Sequence, residues 1–337
     1  MKEYNVAVLG ATGAVGQQMM KVLEERNFPV KRLLPLASAR SAGKQLAFRG
    51  EALSIEEATE ASFAGMDIVL GAVSNEMAKR FAPAIQDSGA VFIDNSSAFR
   101  LREDVPLVVP EINPEDAFQH HGIIANPNCS TIITMVALGG IRRLTAIDKM
   151  VACTYQAVSG AGQQGITELQ DQLRAVTLGE AVQPHVFPCQ IVSNVIPQIG
   201  SECDNGYTTE EMKMQNEGRK IMHLPELRVC CTCVRVPVMR SHSIAVQLVT
   251  RDPISVEDAR QAVAAAPGCV LTDDLDGRNY PTPLDTSDQD LVYVGRIRRD
   301  LISGDHGLAL WCCGDQVRKG AATNAVQIAE LLARGQA

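Results

Sequence analysis

Asn5-Val6-Ala7-Val8-Leu9-Gly10-Ala11-Thr12-Gly13-Ala14-Val15-Gly16 decides the architecture of the first half of the chain. The run from Asn5 to Leu9 is apolar and strand-like, it stops at Gly10, and helical spacing covers Gly16 to Glu25. Glycines at such a strand-to-helix turn allow a tight bend. They also let the backbone approach a pyrophosphate, which then sits at the positive end of the helix. The spacing is G-x-x-G-x-x-G, a variant of the G-x-G-x-x-G dinucleotide fingerprint, and its place directly after a strand sets it apart from an ordinary glycine turn.

Outward from this stretch, strand and helix signals alternate as a parallel α/β sheet requires. Val30–Ala37, Asp67–Ala72 and Ala90–Asp94 read as strands and Asn75–Gln86 as a helix. Ile123–Ala125 leads into the turn Asn126-Pro127-Asn128, and a long apolar helix begins at Cys129. At the end of the second strand an NAD site usually carries an Asp or Glu for the ribose 2′-hydroxyl. This chain has Ser38-Ala39-Arg40-Ser41 there. A carboxylate would repel a 2′-phosphate, whereas an arginine between serines would hold one, so the sequence argues for NADP.

Beyond Lys149 the pattern changes. Val151–Gln156, Leu227–Val236, Ser243–Thr250 and Leu291–Ile297 are β-like, separated by long connections rather than regular helices. That points to a mixed or antiparallel sheet and a second domain of α+β type. Gln183–Gly206 reads as an extended excursion and a candidate oligomer contact, and Val317–Ala333 as an amphipathic helix. At 337 residues the chain suits two domains. A net charge of −8 argues against a nucleic-acid role, because phosphate backbones recruit basic surfaces. The most apolar run, Thr131–Ile141, is far shorter than the roughly 20 residues that span a bilayer. With no signal peptide evident, a cytoplasmic protein is expected. The 10 cysteines form no CxxC…CxxC array. Neighbours in Cys230-Cys231 and Cys312-Cys313 point to opposite strand faces, so no metal is expected and buried thiols are.

Cys129 opens a helix, where partial positive charge and free N–H groups favour a thiolate and could stabilise an oxyanion on a carbonyl bonded to it. His242, beside Arg235 and Arg240 at the start of a strand, is a candidate acid–base partner. Gln156 precedes a second glycine-rich turn, Ala157-Val158-Ser159-Gly160-Ala161-Gly162, whose amides could face a cofactor.

Taken in order, Gly10–Gly16, Ser38–Gly43, Asp94–Arg100, Val109–Asn113, Asn126–Thr131, Gln156–Gly162, Glu210–Lys213, Arg235–His242 and Arg318–Asn324 make the chain resemble the aspartate-semialdehyde dehydrogenases over essentially its whole length. The compact second domain points to the branch found in Gram-positive bacteria and their relatives. The resemblance implies a Rossmann-type parallel-sheet cofactor domain, 1–128 completed by a C-terminal helix 315–337. It also implies an α+β catalytic and dimerisation domain with a mixed sheet, 129–314. The reaction it implies is NADPH-dependent reductive dephosphorylation of L-aspartyl 4-phosphate to L-aspartate 4-semialdehyde, in lysine, threonine and methionine biosynthesis. Cys129 would be the nucleophile, His242 the proton shuttle and Gln156 the group orienting the intermediate. Arg235 would grip the α-carboxylate, and Glu210 the α-amino group, with Glu211 as the alternative. Arg100 and Lys213, helped by Asn128 and Ser97, would hold the phosphate. Gly10, Thr12, Gly13, Ala14, Val15 and Gly16 would hold the cofactor phosphates, and Ser38, Arg40 and Ser41 its 2′-phosphate. Ser159 and Gly160 would lie near the pyrophosphate or nicotinamide, and Asn324 on the nicotinamide side. A homodimer is implied.

Seven residues separate Arg235 from His242, which would set them on opposite faces of one strand; Pro237 suggests a break, and the spacing alone leaves that geometry open. An N-acetyl-glutamyl-phosphate type of reductase is the nearest rival, disfavoured by the charged pair Glu210 and Arg235, since an acetylated amine needs no carboxylate. A non-catalytic paralogue should have lost Cys129 or its partners. The glyceraldehyde-3-phosphate dehydrogenase signature differs from Asn128-Cys129-Ser130-Thr131.

Overall fold

The computed structural model describes residues 2–335; residue 1 and residues 336–337, the outer ends of the expected segments 1–128 and 315–337, lie outside them. The chain forms two compact units, Met1–Asn128 with Ala321–Ala337, and Cys129–Gly320.

The first unit contains β1 (Tyr4–Leu9), α1 (Ala14–Glu25), β2 (Val30–Ala37), β3 (Gln45–Phe48), β4 (Glu51–Ser54), β5 (Glu56–Glu57), β6 (Ile68–Gly71), α2 (Asn75–Asp87), β7 (Val91–Asp94) and β8 (Ile123–Ala125), with a C-terminal helix Thr323–Gly335. Its main sheet is parallel throughout, in the order β5-β2-β1-β6-β7-β8. Val6–Leu9 of β1 and Ile68–Leu70 of β6 are continuously apolar because helices cover both faces of such a sheet. Strand order reverses beside β1, the position at which parallel sheets of this kind bind ligands at their carboxyl ends. Val6, Val8, Met19, Leu23, Leu70 and Ile93 share one core with Ala325, Ile328 and Leu332 of the C-terminal helix. Each large side chain buried this way contributes roughly 1.5–3 kcal/mol. Arg26 donates from Nε and Nη2 to Glu330 at 2.7 and 2.8 Å and fastens that helix to α1. The β3–β4 hairpin was not evident in the sequence.

The second unit contains α3 (Cys129–Leu144), β9 (Ile147–Gln156), α4 (Gly162–Leu178), α5 (Thr209–Ile221), β10 (Arg228–Arg235), β11 (His242–Thr250), α6 (Val256–Ala264), β12 (Cys269–Leu271), α7 (Pro283–Thr286), β13 (Val292–Arg299) and β14 (Gly307–Gly314). Its sheet is mixed, in the order β10-β9-β11-β14-β13-β12. β10 runs parallel to β9, and β11 antiparallel to it.

Several expectations are corrected here. The connections in this unit are not without regular helices, for α4, α5 and α6 are regular. Their buried faces carry Glu168 and Gln172 on α4, and Glu211 and Glu217 on α5, so the apolar 3.6-residue rhythm that betrays a helix is broken. The stretch 183–206 is not wholly an excursion, because Glu168 and Gln172 bind the backbone N–H groups of His185, Ile191 and Val192. The unit boundary also falls after Gly320 rather than after residue 314. Asp315, fully buried, pairs with Arg240 at 2.5 Å and accepts from the Asp288 N–H at 2.7 Å, which holds 315–320 in the second unit. Arg318–Ala322 is a π-helical turn, and regular helix starts only at Thr323. Among the described residues no helix is long and apolar enough to cross a membrane.

Candidate active site

At the carboxyl end of β1, Gly10 has φ +90°, and a Cβ there would lie 2.3 Å from the Ala72 carbonyl oxygen. A Cβ at Gly16 would lie 2.2 Å from the Gly10 oxygen, so the turn closes tightly onto α1 only with glycine at both places. Gly13 caps α1 with no side-chain acceptor, and the first turn holds no acidic residue. Thr12 and Gly13 are exposed, and Ala14 and Val15 half-buried. The result is a helix start whose N–H groups no side chain covers, next to a backbone stripped of side chains, which fits a pyrophosphate. Ser38 caps the short 3-10 turn Ala39–Ser41 after β2. Arg40 on that turn is exposed, and among the described residues its guanidinium pairs with no carboxylate. An exposed arginine between Ser38 and a buried Ser41 fits a 2′-phosphate.

In the same unit Arg100 is buried and donates to the carbonyls of Asn126 at 2.9 Å and Asn95 at 2.8 Å, which fixes its guanidinium. Ser97 and Asn75 exchange hydrogen bonds, and Asn128 is buried. Asn324 is fully buried and donates to the Val108 carbonyl at 2.9 Å and to Asn126 Oδ1 at 2.6 Å. One of its amide hydrogens thereby holds the turn that precedes Cys129 and the other the Val108 backbone.

In the second unit the candidate groups meet at the end of β9. Register pairs Arg235 of β10 with Gln156, and Ser243 of β11 with Tyr155. Arg235 closes one strand and His242 opens the next, so the same-strand objection raised by their spacing does not arise. The Ala157 backbone joins them: its N–H donates to His242 Nδ1 at 3.1 Å, and its carbonyl accepts from Arg235 Nη1 at 2.7 Å. A neutral ring bonded this way carries its proton on Nε2. That Nε2 is buried and has no protein partner. Burial, then the positive charge of Arg235, depress the His242 pKa to about 3, with Glu210 opposing, so the ring is neutral near pH 7. Burial also lowers the pKa of Arg235, opposed by its electrostatic neighbours Cys129, Glu210 and Cys233, which lie within reach of it.

Cys129 is half-buried at the first position of α3, whose following residues Ser130 to Ile141 are buried. Gln156 donates to Ser130 Oγ and, at 3.3 Å, to Glu210 Oε1. Glu210 Oε2 accepts from Lys213 Nζ at 2.7 Å. The two glutamates left open as alternatives, Glu210 and Glu211, have different surroundings. Glu211 closes the capping box with Thr208 and accepts the Cys233 N–H at 3.0 Å, so its carboxylate is spent on structure. Glu210 is the one directed toward Gln156.

Gly160 packs against these groups. A Cβ on it would lie 2.7 Å from Arg235 Nη1 and 3.3 Å from His242 Nε2. Ser159 Oγ accepts a hydrogen bond from Gln316, whose Oε1 accepts the Ser241 N–H at 2.8 Å. Ser241 has φ +75°, and its hydroxyl bonds to Thr286. A Cβ on Gly320 would lie 2.9 Å from Cys129 Cβ. Sequence reasoning missed Gln316, the Ala157 peptide and the closeness of Gly320 to Cys129. Backbone groups carry no residue-type signal; Gln316 and Gly320 do lie in or beside the glycine-containing run Arg318–Asn324 that had been singled out. Cys231 and Cys233 sit on one strand face with sulfurs 3.8 Å apart, and their proximity together with burial pushes the Cys231 pKa up, so it stays a thiol.

Two family models match the chain: a semialdehyde dehydrogenase NAD binding domain over residues 5–120, and a semialdehyde dehydrogenase dimerisation domain over 138–319. The aspartate-semialdehyde dehydrogenase of Synechocystis sp. is 50% identical over 327 residues, covering 97% of this chain and 96% of its own. That of Bacillus subtilis is 48% identical over 336 residues, covering 97% of each. The crystal structure of aspartate semialdehyde dehydrogenase II from Vibrio cholerae superposes with a TM-score of 0.96 at 46% identity, covering 99% of both chains.

Proposed function

The chain belongs to the aspartate-semialdehyde dehydrogenase family, and on that premise we propose that it interconverts L-aspartyl 4-phosphate and L-aspartate 4-semialdehyde through an acyl bond to Cys129. The observation that carries this reading is the gathering of Gln156, Arg235 and His242 at one end of β9, with Glu210 hydrogen-bonded to Gln156, and Gln156 to Ser130 beside Cys129.

The Cys129 sulfur attacks the acyl carbon, the C–O bond to phosphate breaks, and phosphate departs, leaving a thioester. Arg235 and the start of α3 both favour the anionic sulfur this step needs. Bound NADPH supplies the hydride. The chain's residues then stabilise the resulting thiohemiacetal oxyanion, which collapses to aldehyde and restores the Cys129 thiolate. His242 acts from Nε2, where the Ala157 N–H keeps the proton of the neutral ring; a donor at that atom suits an oxygen that gains charge. The collapse to aldehyde and thiolate consumes no proton, so a neutral ring serves. Gln156, held by Ser130 and Glu210, orients the acyl group.

For the substrate's charges, Arg235 serves the α-carboxylate, keeping Nε and Nη2 after Nη1 is spent on Ala157, and Glu210 serves the α-amino group. Lys213 in the second unit and Arg100, Asn128 and Ser97 in the first are assigned to the phosphate. Residues 10–16 and Ser38, Arg40 and Ser41 are assigned to NADP, as is the Ser159–Gly160 turn.

The expected homodimer is supported by the matched dimerisation domain and by Val151, Tyr155 and Trp311, which leave apolar surface on the outer face of the second sheet. Beside them a cavity of about 440 Å³ is lined by Tyr280, Pro281 and Trp311. A cytoplasmic place in lysine, threonine and methionine biosynthesis completes the reading. Turnover with aspartate semialdehyde, phosphate and NADP tests it, combined with mass spectrometry for an acyl adduct on Cys129. NADPH formation with the adduct on that residue is expected. Activity only with the N-acetyl-glutamyl homologue, or turnover undiminished in Cys129→Ala, would overturn it.

A further inference from the structure

Arg235 is buried with one hydrogen bond, from Nη1 to the Ala157 carbonyl. Among the described residues its other nitrogens donate to no protein acceptor. A buried cation needs compensation. Of the five N–H groups of Arg235 one is used and two are kept for a carboxylate, and among the described residues no protein acceptor meets the rest. An aromatic face can compensate, because it attracts the cation without consuming a donor. Phe187 provides such a face: its ring centroid lies 5.9 Å from the guanidinium carbon.

The ring comes from an irregular segment, and α4 seats it. The Glu168 carboxylate accepts the N–H groups of His185 at 2.9 Å, of Val186, and of Phe187 at 3.4 Å. Gln172, one turn further, donates to Glu168 at 3.0 Å and accepts the N–H groups of Ile191 and Val192 at 2.9 and 3.1 Å. Gly165 lies on the same helix face, in the first half of α4, where glycine weakens a helix. A Cβ there would stand 2.4 Å from the Val158 oxygen and 3.2 Å from Phe187 Cζ. Gly165, Glu168 and Gln172 are all buried on that face and make room for one ring.

We propose that Phe187, seated by Gly165 and Glu168, is a positioning residue that holds the Arg235 guanidinium from its face and so sets selectivity for an α-carboxylate-bearing aldehyde. This rests on Arg235 being the carboxylate partner. The test compares aspartate semialdehyde with 3-aminopropanal, which lacks only the carboxylate, in wild type, Phe187→Leu, Phe187→Tyr and Arg235→Lys. A protein carrying size-conserving fluorinated phenylalanines at position 187 is added, because fluorination drains the ring face without emptying the site. Phe187→Leu is expected to raise KM for aspartate semialdehyde about five- to thirtyfold, with KM for 3-aminopropanal and NADP unmoved. Phe187→Tyr should restore it, and each added fluorine should raise it stepwise at constant Tm. If Arg235→Lys raises that KM while the leucine and fluorinated proteins match wild type, the role of Phe187 is refuted and that of Arg235 stands. An equal rise for both aldehydes marks general loosening and also refutes it. No change on Arg235→Lys removes the carboxylate assignment, and the inference with it.

Discussion

Replacing Gly160 by alanine tests how the site is packed. The backbone at 160 lies outside the left-handed region, so alanine brings no conformational strain of its own. What it brings is a methyl group 2.7 Å from Arg235 Nη1, 3.2 Å from His242 Cε1 and 3.3 Å from His242 Nε2. Ordinary contact begins near 3.4 Å, so the guanidinium must retreat by about 0.7 Å while the imidazole barely shifts. Arg235 Nη1 sits at the end of a long side chain and can yield, so the fold should lose little. The retreat nevertheless stretches the 2.7 Å bond to the Ala157 carbonyl, and the N–H of that same residue orients His242. Misplacing a catalytic group by about an ångström costs on the order of a hundredfold in rate. Steady-state kinetics are therefore expected to show kcat/KM for aspartate semialdehyde falling roughly ten- to a hundredfold. KM for NADP should stay near wild type, and Tm should fall by no more than a few degrees. Full activity in Gly160→Ala would mean that Arg235 and His242 are not held where the reasoning needs them. A collapse in Tm would mean that the glycine serves folding and not the site.

Three further outcomes are expected. His242 has a folded pKa of about 3 against an ordinary value of 6.5, so below pH 6.5 the unfolded chain takes up a proton that the folded one refuses. Its contribution to stability is therefore complete above about pH 6.5 and is lost as the pH falls toward 3, by up to about 1.4 kcal/mol per unit. His242→Asn should flatten Tm over that window, and an unchanged acid limb would contradict it. Glu210→Gln should raise KM for aspartate semialdehyde at nearly constant Tm, whereas Glu211→Gln should cost about 1–2 kcal/mol in urea unfolding through its cap and the Cys233 N–H. The reverse pattern would exchange their roles. Arg40→Ala should raise KM for NADP about ten- to a hundredfold and leave KM for NAD alone; equal effects on the two cofactors would remove it from the 2′-phosphate.

The first unit was legible because its signals are local. A buried parallel strand writes itself as an apolar run, and the tight turn after β1 requires glycine where φ is +90° and a carbonyl oxygen lies 2.3 Å from a would-be Cβ. The second unit was legible in four of its strands and in α3, and not in α4, α5 and α6. The faces that α4 and α5 bury carry Glu168, Gln172, Glu211 and Glu217, which bind backbone or one another and erase the apolar rhythm. The Thr208–Glu211 capping box was a readable start signal for α5 that went unused.

Residue chemistry and order along the chain were enough to nominate Cys129, Gln156, Arg235 and His242, because a thiol, an amide, a guanidinium and an imidazole are each scarce enough to be noticed. Their relation to one another was decided only by sheet register, which brings the ends of three strands from distant parts of the chain to one place. Register also chose the protonated nitrogen of His242, whereas the local Thr208–Glu211 capping box is what occupies Glu211. The His242 choice turns on the Ala157 N–H, and a hydrogen bond between residues 85 apart in sequence leaves no mark on the residue types that make it.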